Sequence, residues 1–175
     1  DNKAYGEMHA DEPCREFFTF TTEEGVSLNG MVLKPKDMDP SRKYPVIMYQ
    51  YSGPGSQEVL NRWSLDWENY FAAQGFIIVS VDGRGTGGRG RDFEYSVYRD
   101  LGHLETVDQA AAAEYVASWP FVDKDRIGIW GWSYGGYETL MCVSRGDFPF
   151  ACGVAVAPVT DWKYYDTVYA ERYML

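Results

Sequence analysis

The apolar residues of this chain fall into short blocks separated by turn-forming residues. Residues 16–22 (EFFTFTT) and 26–34 (VSLNGMVLK) read as two strands joined by Glu23-Glu24-Gly25, a hairpin. Residues 35–40, rich in Pro, Asp and Lys, form a loop. Residues 45–51 (PVIMYQY) are an apolar strand that runs into a Gly/Pro loop at 52–57. A helix is predicted over 64–74, with Ser64 as N-cap and Gly75 just past its end. Residues 76–81 (FIIVSV) are uninterruptedly apolar, the mark of a parallel strand buried on both faces. Residues 103–119 read as a helix with Leu104, Val107, Ala111 and Tyr115 on one stripe and Pro120 ending it. Glu105 and Asp108 fall in its first turns, where the helix dipole favours acids. A strand at 126–130 is followed by a helix at 134–145, closed by Gly146 as its C-terminal cap. Residues 150–157 (FACGVAVA) form another buried-type strand, Pro158 breaks it, and 162–174 is a short aromatic helix or loop. The polar residues 1–14 read as a tail or linker entering from an upstream domain.

The order is therefore a hairpin followed by β-α-β-α-β-α-β. Such alternation gives a mostly parallel sheet with helices on both faces. The chemistry sits where the fifth strand meets its helix. Gly131-Trp132-Ser133-Tyr134-Gly135 has the form Gly-x-Ser-x-Gly, the pattern of a nucleophile elbow. There the serine occupies a strained strand-to-helix turn, and glycines flank it because side chains would meet the neighbouring strand and helix. Ser133 is the candidate nucleophile. The free N–H groups and dipole of the following helix suit a developing oxyanion. The backbone N–H of Tyr134 is one expected donor. The second should come from the loop after the third strand, which opens at Tyr51. Its phenol is a candidate donor, with a tyrosine packed at a strand end the equal alternative. An elbow on the fifth strand of this order describes the first two-thirds of an α/β-hydrolase, without its C-terminal strands and helices. The domain reading is a connector over 1–14 and a truncated catalytic domain over 15–175.

Composition removes other classes. The net charge of −10 and pI of about 4.6 disfavour a phosphate-backbone partner, so no nucleic acid is expected. No run of 18 apolar residues exists, so no membrane span is expected in this chain. An aromatic share of 17% favours a deep core or an aromatic-lined pocket. Cys142 and Cys152 read as buried free thiols. With no CxxC and two histidines, His9 and His103, no metal or other cofactor is expected. The glycine run at 82–90 does contain Gly83, Gly85 and Gly88 at dinucleotide-fingerprint spacing. No helix opens on the third glycine, so the run reads as a tight loop under the active site.

The triad of an α/β-hydrolase runs Ser, Asp/Glu, His along the chain. No histidine follows Ser133, and His103 reads as a helix N-terminal residue. The acids after Ser133 are Glu138, Asp147, Asp161, Asp166 and Glu171, and Asp161 fits an N-cap better than a triad acid. A serine without an adjacent base is a poor nucleophile, so the chain alone is expected to be inactive. The strand at 150–157, left as a sheet edge, is expected to make the piece self-associate.

GWSYGGY at 131–137 and Tyr51-Ser52-Gly53-Pro54 before Ser56-Gln57 resemble the prolyl oligopeptidase family of serine peptidases. Asp82-Gly83-Arg84-Gly85 and Ala157-Pro158-Val159, followed by Trp162 and Tyr164-Tyr165-Asp166, extend the likeness. The set is similar to its dipeptidyl peptidase IV branch. The resemblance implies release of N-terminal dipeptides with proline or alanine in second position, through an acyl-enzyme on Ser133. It implies Tyr51 as side-chain oxyanion donor and Tyr134 as backbone donor and pocket residue. Val159, Trp162, Tyr165 and Tyr169 match the wall of the proline pocket. A flat apolar ring without an N–H suits such aromatic faces. The resemblance also implies peptide substrates and an exported parent, periplasmic or extracellular, and it is compatible with a homodimer. An esterase or other acyl hydrolase using the same elbow is the alternative.

Overall fold

A computed structural model describes residues 2–175. The elements in chain order are α1 (Lys3–Met8), β1 (Glu16–Thr21), β2 (Ser27–Leu33), β3 (Tyr44–Tyr49), α2 (Trp67–Ala73) and β4 (Ile77–Asp82). They continue with α3 (Arg91–Glu94), a 3-10 turn at Tyr95–Val97, α4 (His103–Ala117), β5 (Val122–Trp132), α5 (Tyr134–Ser144) and β6 (Cys152–Val156). A second 3-10 turn at Trp162–Tyr164 and α6 (Thr167–Met174) complete the chain. The strands form one sheet in the order β1-β2-β4-β3-β5-β6. The hairpin β1–β2 is antiparallel and joins β4 antiparallel; β4, β3, β5 and β6 run parallel to one another. This is the α/β-hydrolase-like fold expected from the order of elements.

Side-chain alternation decides which face each strand residue covers. Val46, Met48, Ile77, Val79, Val81, Ile127 and Ile129 pack with Ala112, Ala113 and Val116 of α4 and with Cys142 of α5. Ile78 and Leu33 face the other way, against Ala72 of α2 with Trp67 and Phe71. Helices thus cover both faces, and all six residues of β4 are buried, as its apolar run predicts. The strand order doubles back at β3, which lies between β4 and β5. Such a reversal opens a crevice at the carboxyl ends of the strands. Tyr51 follows the end of β3, Asp82 ends β4 and Ser133 follows β5, so the topology alone gathers them.

Several local expectations are corrected. The helix expected over 64–74 starts at Trp67, because the Asp66 carboxylate accepts from the Trp67 N–H and Asn69 closes the reciprocal cap. Gly75 does take the left-handed conformation expected of it, with φ +90°. Gly146 does not; α5 ends at Ser144. The 1–14 segment holds a helix, α1, whose Tyr5 packs edge-on to Trp63 at 5.6 Å. Cys142 is buried as expected but Cys152 is exposed, because β6 is the outer strand of the sheet and its residues 152–154 face solvent. The stripe expected on α4 is half-buried, and its fully buried face carries Glu105, Thr106, Asp108 and Gln109 beside three small or β-branched apolar residues, Ala112, Ala113 and Val116. These residues are tolerated there because each finds at least one partner, although Gln109 Oε1 has none among the described residues.

Candidate active site

Ser133 sits between β5 and α5 at φ +58° and ψ −113°, a conformation that non-glycine residues rarely occupy. Two neighbours hold it there. Its N–H donates to the Val156 carbonyl of β6 at 2.9 Å, and its carbonyl accepts from the Tyr137 N–H at 3.0 Å. The flanking glycines are steric requirements. A Cβ on Gly131 would stand 2.6 Å from the Gly135 carbonyl oxygen, and one on Gly135 would stand 3.1 Å from Tyr51 Cα. Gln50, buried at the end of β3, locks this corner by donating to the Gly135 carbonyl at 2.7 Å and to Thr139 Oγ1 at 3.1 Å. The Ser133 hydroxyl is half-buried and has no hydrogen-bond partner among the described residues. The Tyr134 N–H opens α5 and has no intrahelical acceptor.

The rings expected at the pocket come together. Tyr134 tilts against Trp162 at 5.7 Å and Tyr169 at 6.5 Å, and Trp162 stacks on Tyr169 at 5.8 Å with 6° between planes. Tyr165 meets Trp162 and Tyr169 edge-on at 5.9 and 5.5 Å. Tyr51 lies 6.2 Å from Tyr134, and its hydroxyl has no partner among the described residues. Val159 is half-buried on the segment between β6 and Trp162 and is not among the side chains packed on this cluster. The candidate triad acids are placed elsewhere in role. Asp161 accepts from the Lys163 N–H, and Asp166 accepts from the Tyr169 N–H to cap α6. His103 is exposed at the start of α4, and His9 pairs with Glu12 at 3.8 Å. Neither imidazole touches Ser133.

Beneath the elbow lies a polar layer that sequence reasoning missed. Tyr134 Oη donates to Glu105 Oε1 at 2.7 Å, and the Gly102 N–H donates to Glu105 Oε2 at 3.0 Å. Asp108 holds Arg84 through the side chain at 2.7 Å and through the Arg84 N–H at 2.6 Å. Gln109 donates to the Val81 carbonyl at 2.9 Å and to Ser52 Oγ at 3.3 Å. Ser52, at φ +61°, is buried directly after Tyr51. Thr106 Oγ1 contacts both the Gly102 carbonyl and Glu138 Oε1. A hydroxyl carries one proton. It is shared between the Gly102 carbonyl and Glu138 Oε1, and Cys142 Sγ also donates to that carboxyl oxygen at 3.7 Å. Burial first, then the nearby Glu105 and Asp108 charges, push Glu138 up to about 8, against the pull of the Thr106 hydrogen bond. Burial first, then the Glu105 charge, pushes the Tyr134 phenol far above its ordinary range, so it remains a donor.

The glycine run is the tight loop expected of it. Asp82 accepts from the N–H groups of Glu58 and Val59 at 2.9 Å each. Gly55 donates to the Gly85 carbonyl and Gly87 to the Ser56 carbonyl, at 2.8 Å each. A Cβ on Gly87 would stand 2.8 Å from the Gly55 carbonyl oxygen, so the two loops meet backbone to backbone. This contact fixes the loop that starts at Tyr51. Among the described residues no helix is long and apolar enough to cross a membrane.

The sequence profile of the prolyl oligopeptidase family matches residues 63–175. The chain belongs to the prolyl oligopeptidase family. Within it, the chain is 51% identical over 157 residues to a protein of Grosmannia clavigera named "probable dipeptidyl-aminopeptidase B", covering 87% of this chain and 16% of that protein. A protein of the same name from Paracoccidioides brasiliensis is 44% identical over 174 residues, covering 95% and 19%. The crystal structure of Porphyromonas gingivalis dipeptidyl peptidase 4 superimposes with a TM-score of 0.95 at 52% identity, covering 99% of this chain and 25% of that one. The chain thus spans a quarter or less of each of these family members.

In the buried layer of this family member, Ser52, Arg84 and Tyr134 fall in motifs, whereas Glu105, Thr106, Asp108, Gln109 and Glu138 do not. One signal was available. Glu105 stands three residues after Gly102, the spacing at which a helix acid reaches back to its N-cap N–H.

Proposed function

We propose that this chain carries the nucleophile and one pocket wall of a serine peptidase that removes N-terminal dipeptides with proline or alanine in second position. The observation that carries the reading is Ser133, held at φ +58° in a glycine-flanked elbow, with its hydroxyl unpaired beside the ring cluster of Tyr134, Trp162, Tyr165 and Tyr169. Ser133 Oγ bonds the carbonyl carbon of the second residue, and the C–N bond that follows it breaks. The rest of the peptide leaves as an amine that takes up the serine proton. Water then hydrolyses the acyl-serine ester to release the dipeptide. The Tyr134 N–H and the Tyr51 hydroxyl receive the oxyanion. The rings, with Val159 on the segment leading into Trp162, accept the proline ring. The relatives' names, dipeptidyl-aminopeptidase and dipeptidyl peptidase, support release of dipeptides, and the family supports the serine chemistry.

Residues 15–175 are, in this reading, the N-terminal two-thirds of the catalytic domain, and 1–14 are a connector. The base comes from sequence other than His9 and His103, so these 175 residues alone do not turn over substrate. Alone they self-associate through the β6 edge, where Val154 is 58% exposed. A monodisperse monomer in light scattering across a concentration series would oppose that point.

The test is hydrolysis of a chromogenic Gly-Pro amide by the full-length protein, its Ser133→Ala variant and the 175-residue piece. The expected result is turnover by the first, a loss on the order of 10⁶-fold in the second and none in the third. Turnover of simple esters through Ser133 without Gly-Pro cleavage would instead place the elbow in an esterase.

A further inference from the structure

Tyr134 acts in two directions. Its N–H lies beside Ser133, and its ring is packed against Tyr137 at 5.5 Å and Trp162 at 5.7 Å. These ring contacts pack the faces and edges of the Tyr134 ring but do not hold its hydroxyl. What pins the far tip of the ring is a hydrogen bond. The hydroxyl donates to Glu105 Oε1 at 2.7 Å, and both residues are buried, at 2% and 0% exposure.

Glu105 is itself fastened. Its second oxygen accepts the Gly102 N–H at 3.0 Å, and Gly102 holds a left-handed φ of +87° at the start of α4. A side chain at Gly102 would meet the Tyr137 ring, with Cζ at 2.8 Å. The carboxylate therefore ties the first turn of α4 to the ring of the residue after the nucleophile. We propose that Glu105 is a positioning residue, which fixes the pitch of the Tyr134 ring and thereby the shape of the proline-binding wall and the aim of the Tyr134 N–H. This rests on the function proposed above. The chemistry specifies a carboxylate. Two donors converge on it, so it must accept on both oxygens. An amide accepts on one and turns its NH₂ toward the Gly102 N–H or the Tyr134 hydroxyl. A leucine leaves both donors buried and unpaired.

The experiment compares Glu105→Leu and Glu105→Gln with wild type in the full-length protein, with active sites titrated by a fluorophosphonate and assayed on Gly-Pro and Gly-Ala amides. The expected result for the leucine variant is a fall of about 10- to 100-fold in kcat/KM on Gly-Pro per titrated site. The Gly-Pro to Gly-Ala ratio should also shrink at least about threefold, because alanine touches less of the ring wall. Glutamine, which can accept from only one of the two donors, should give a ratio between those of leucine and wild type. Loss of folded protein alone would scale both substrates together and leave the titrated ratio unchanged, and that result overturns the proposal. Where the leucine variant does not fold, Tyr134→Phe replaces it. Its loss of ratio should not deepen when Glu105→Gln is added, and additive losses overturn the proposal. If wild type leaves Gly-Pro amides untouched, the peptidase reading has failed by itself. Crystal structures then decide on Glu105. A Tyr134 ring displaced in a Glu105 variant supports the positioning role, and an unmoved ring overturns it.

Discussion

α4 and α6 both reach Tyr134, through Glu105 and Tyr169, and together invert the usual rule of what lies inside a protein. α4 buries Glu105, Thr106, Asp108 and Gln109 completely. α6 leaves its aromatic side half-open, and none of its residues is fully buried. Charged residues almost never bury without partners, whereas large aromatics usually do. Each buried polar residue of α4 reaches a defined acceptor or donor, so this floor is held by direction. The α6 wall is held by ring contacts, which depend on shape. A floor of that kind fixes the elbow to the sheet. A wall of the other kind leaves apolar faces available to a ligand. The comparison predicts that floor substitutions cost stability first, and that wall substitutions cost substrate discrimination first.

The largest effect is expected at Asp108. Asp108→Ala removes the carboxylate that holds both the side chain and the N–H of Arg84, leaving a guanidinium whose remaining partner, Glu24 at 2.9 Å, is largely exposed. Breaking a buried pair from one side costs about 3–5 kcal/mol. Urea unfolding of the full-length protein measures it. A loss below about 1 kcal/mol would mean that the floor does not hold the elbow by direction.

Glu138 gives a smaller, pH-dependent effect. Its carboxyl is raised from 4.5 to about 8 in the folded protein. Between those values the folded state holds a proton that the unfolded state has released, so stability falls as pH rises through this window. Glu138→Gln keeps an acceptor for the Thr106 hydroxyl and has nothing to ionise. The variant should match wild type near pH 4.5 and exceed it by a few kcal/mol at pH 9. Parallel stability–pH curves for the two proteins would show that Glu138 titrates in the folded protein as it does in the unfolded one.

These two regions were not equally legible in the sequence. The strands and the elbow carry local signals. An apolar run marks β4, and glycines at 131 and 135 mark a turn that has no room for side chains. The α6 aromatics were legible through their likeness to a family, and the rings do assemble. The floor was not legible. Glu105 and Asp108 on a helix next to its N-terminus have an ordinary explanation, the helix dipole. Nothing in their own stretch says that Tyr134, 29 residues on, and Arg84, 24 residues back, will complete them. Gln50 is the same case at longer range, reaching Gly135 across 85 residues. Cys152 failed for a related reason: an apolar strand reads as buried, but burial depends on a neighbour that the described residues do not supply.

The sharpest separation of floor from wall comes from the smallest change in stability. Tyr165 is 41% exposed, and its contacts are edge-on to Trp162 and Tyr169. Tyr165→Ala removes two ring pairs worth about 0.5–1.5 kcal/mol each in a dry core, less where water reaches one face. A stability loss of about 1 kcal/mol is expected. The same ring, under the proposed function, forms part of the surface a proline would touch. One missing apolar contact in such a pocket costs about 10-fold or more in kcat/KM. The variant should therefore stay folded, lose Gly-Pro turnover by about that factor and keep most of its Gly-Ala turnover. The opposite pattern has equal content. A loss above about 3 kcal/mol with an unchanged Gly-Pro to Gly-Ala ratio would make Tyr165 a structural ring, and the segment leading into α6 would then hold the elbow as α4 does.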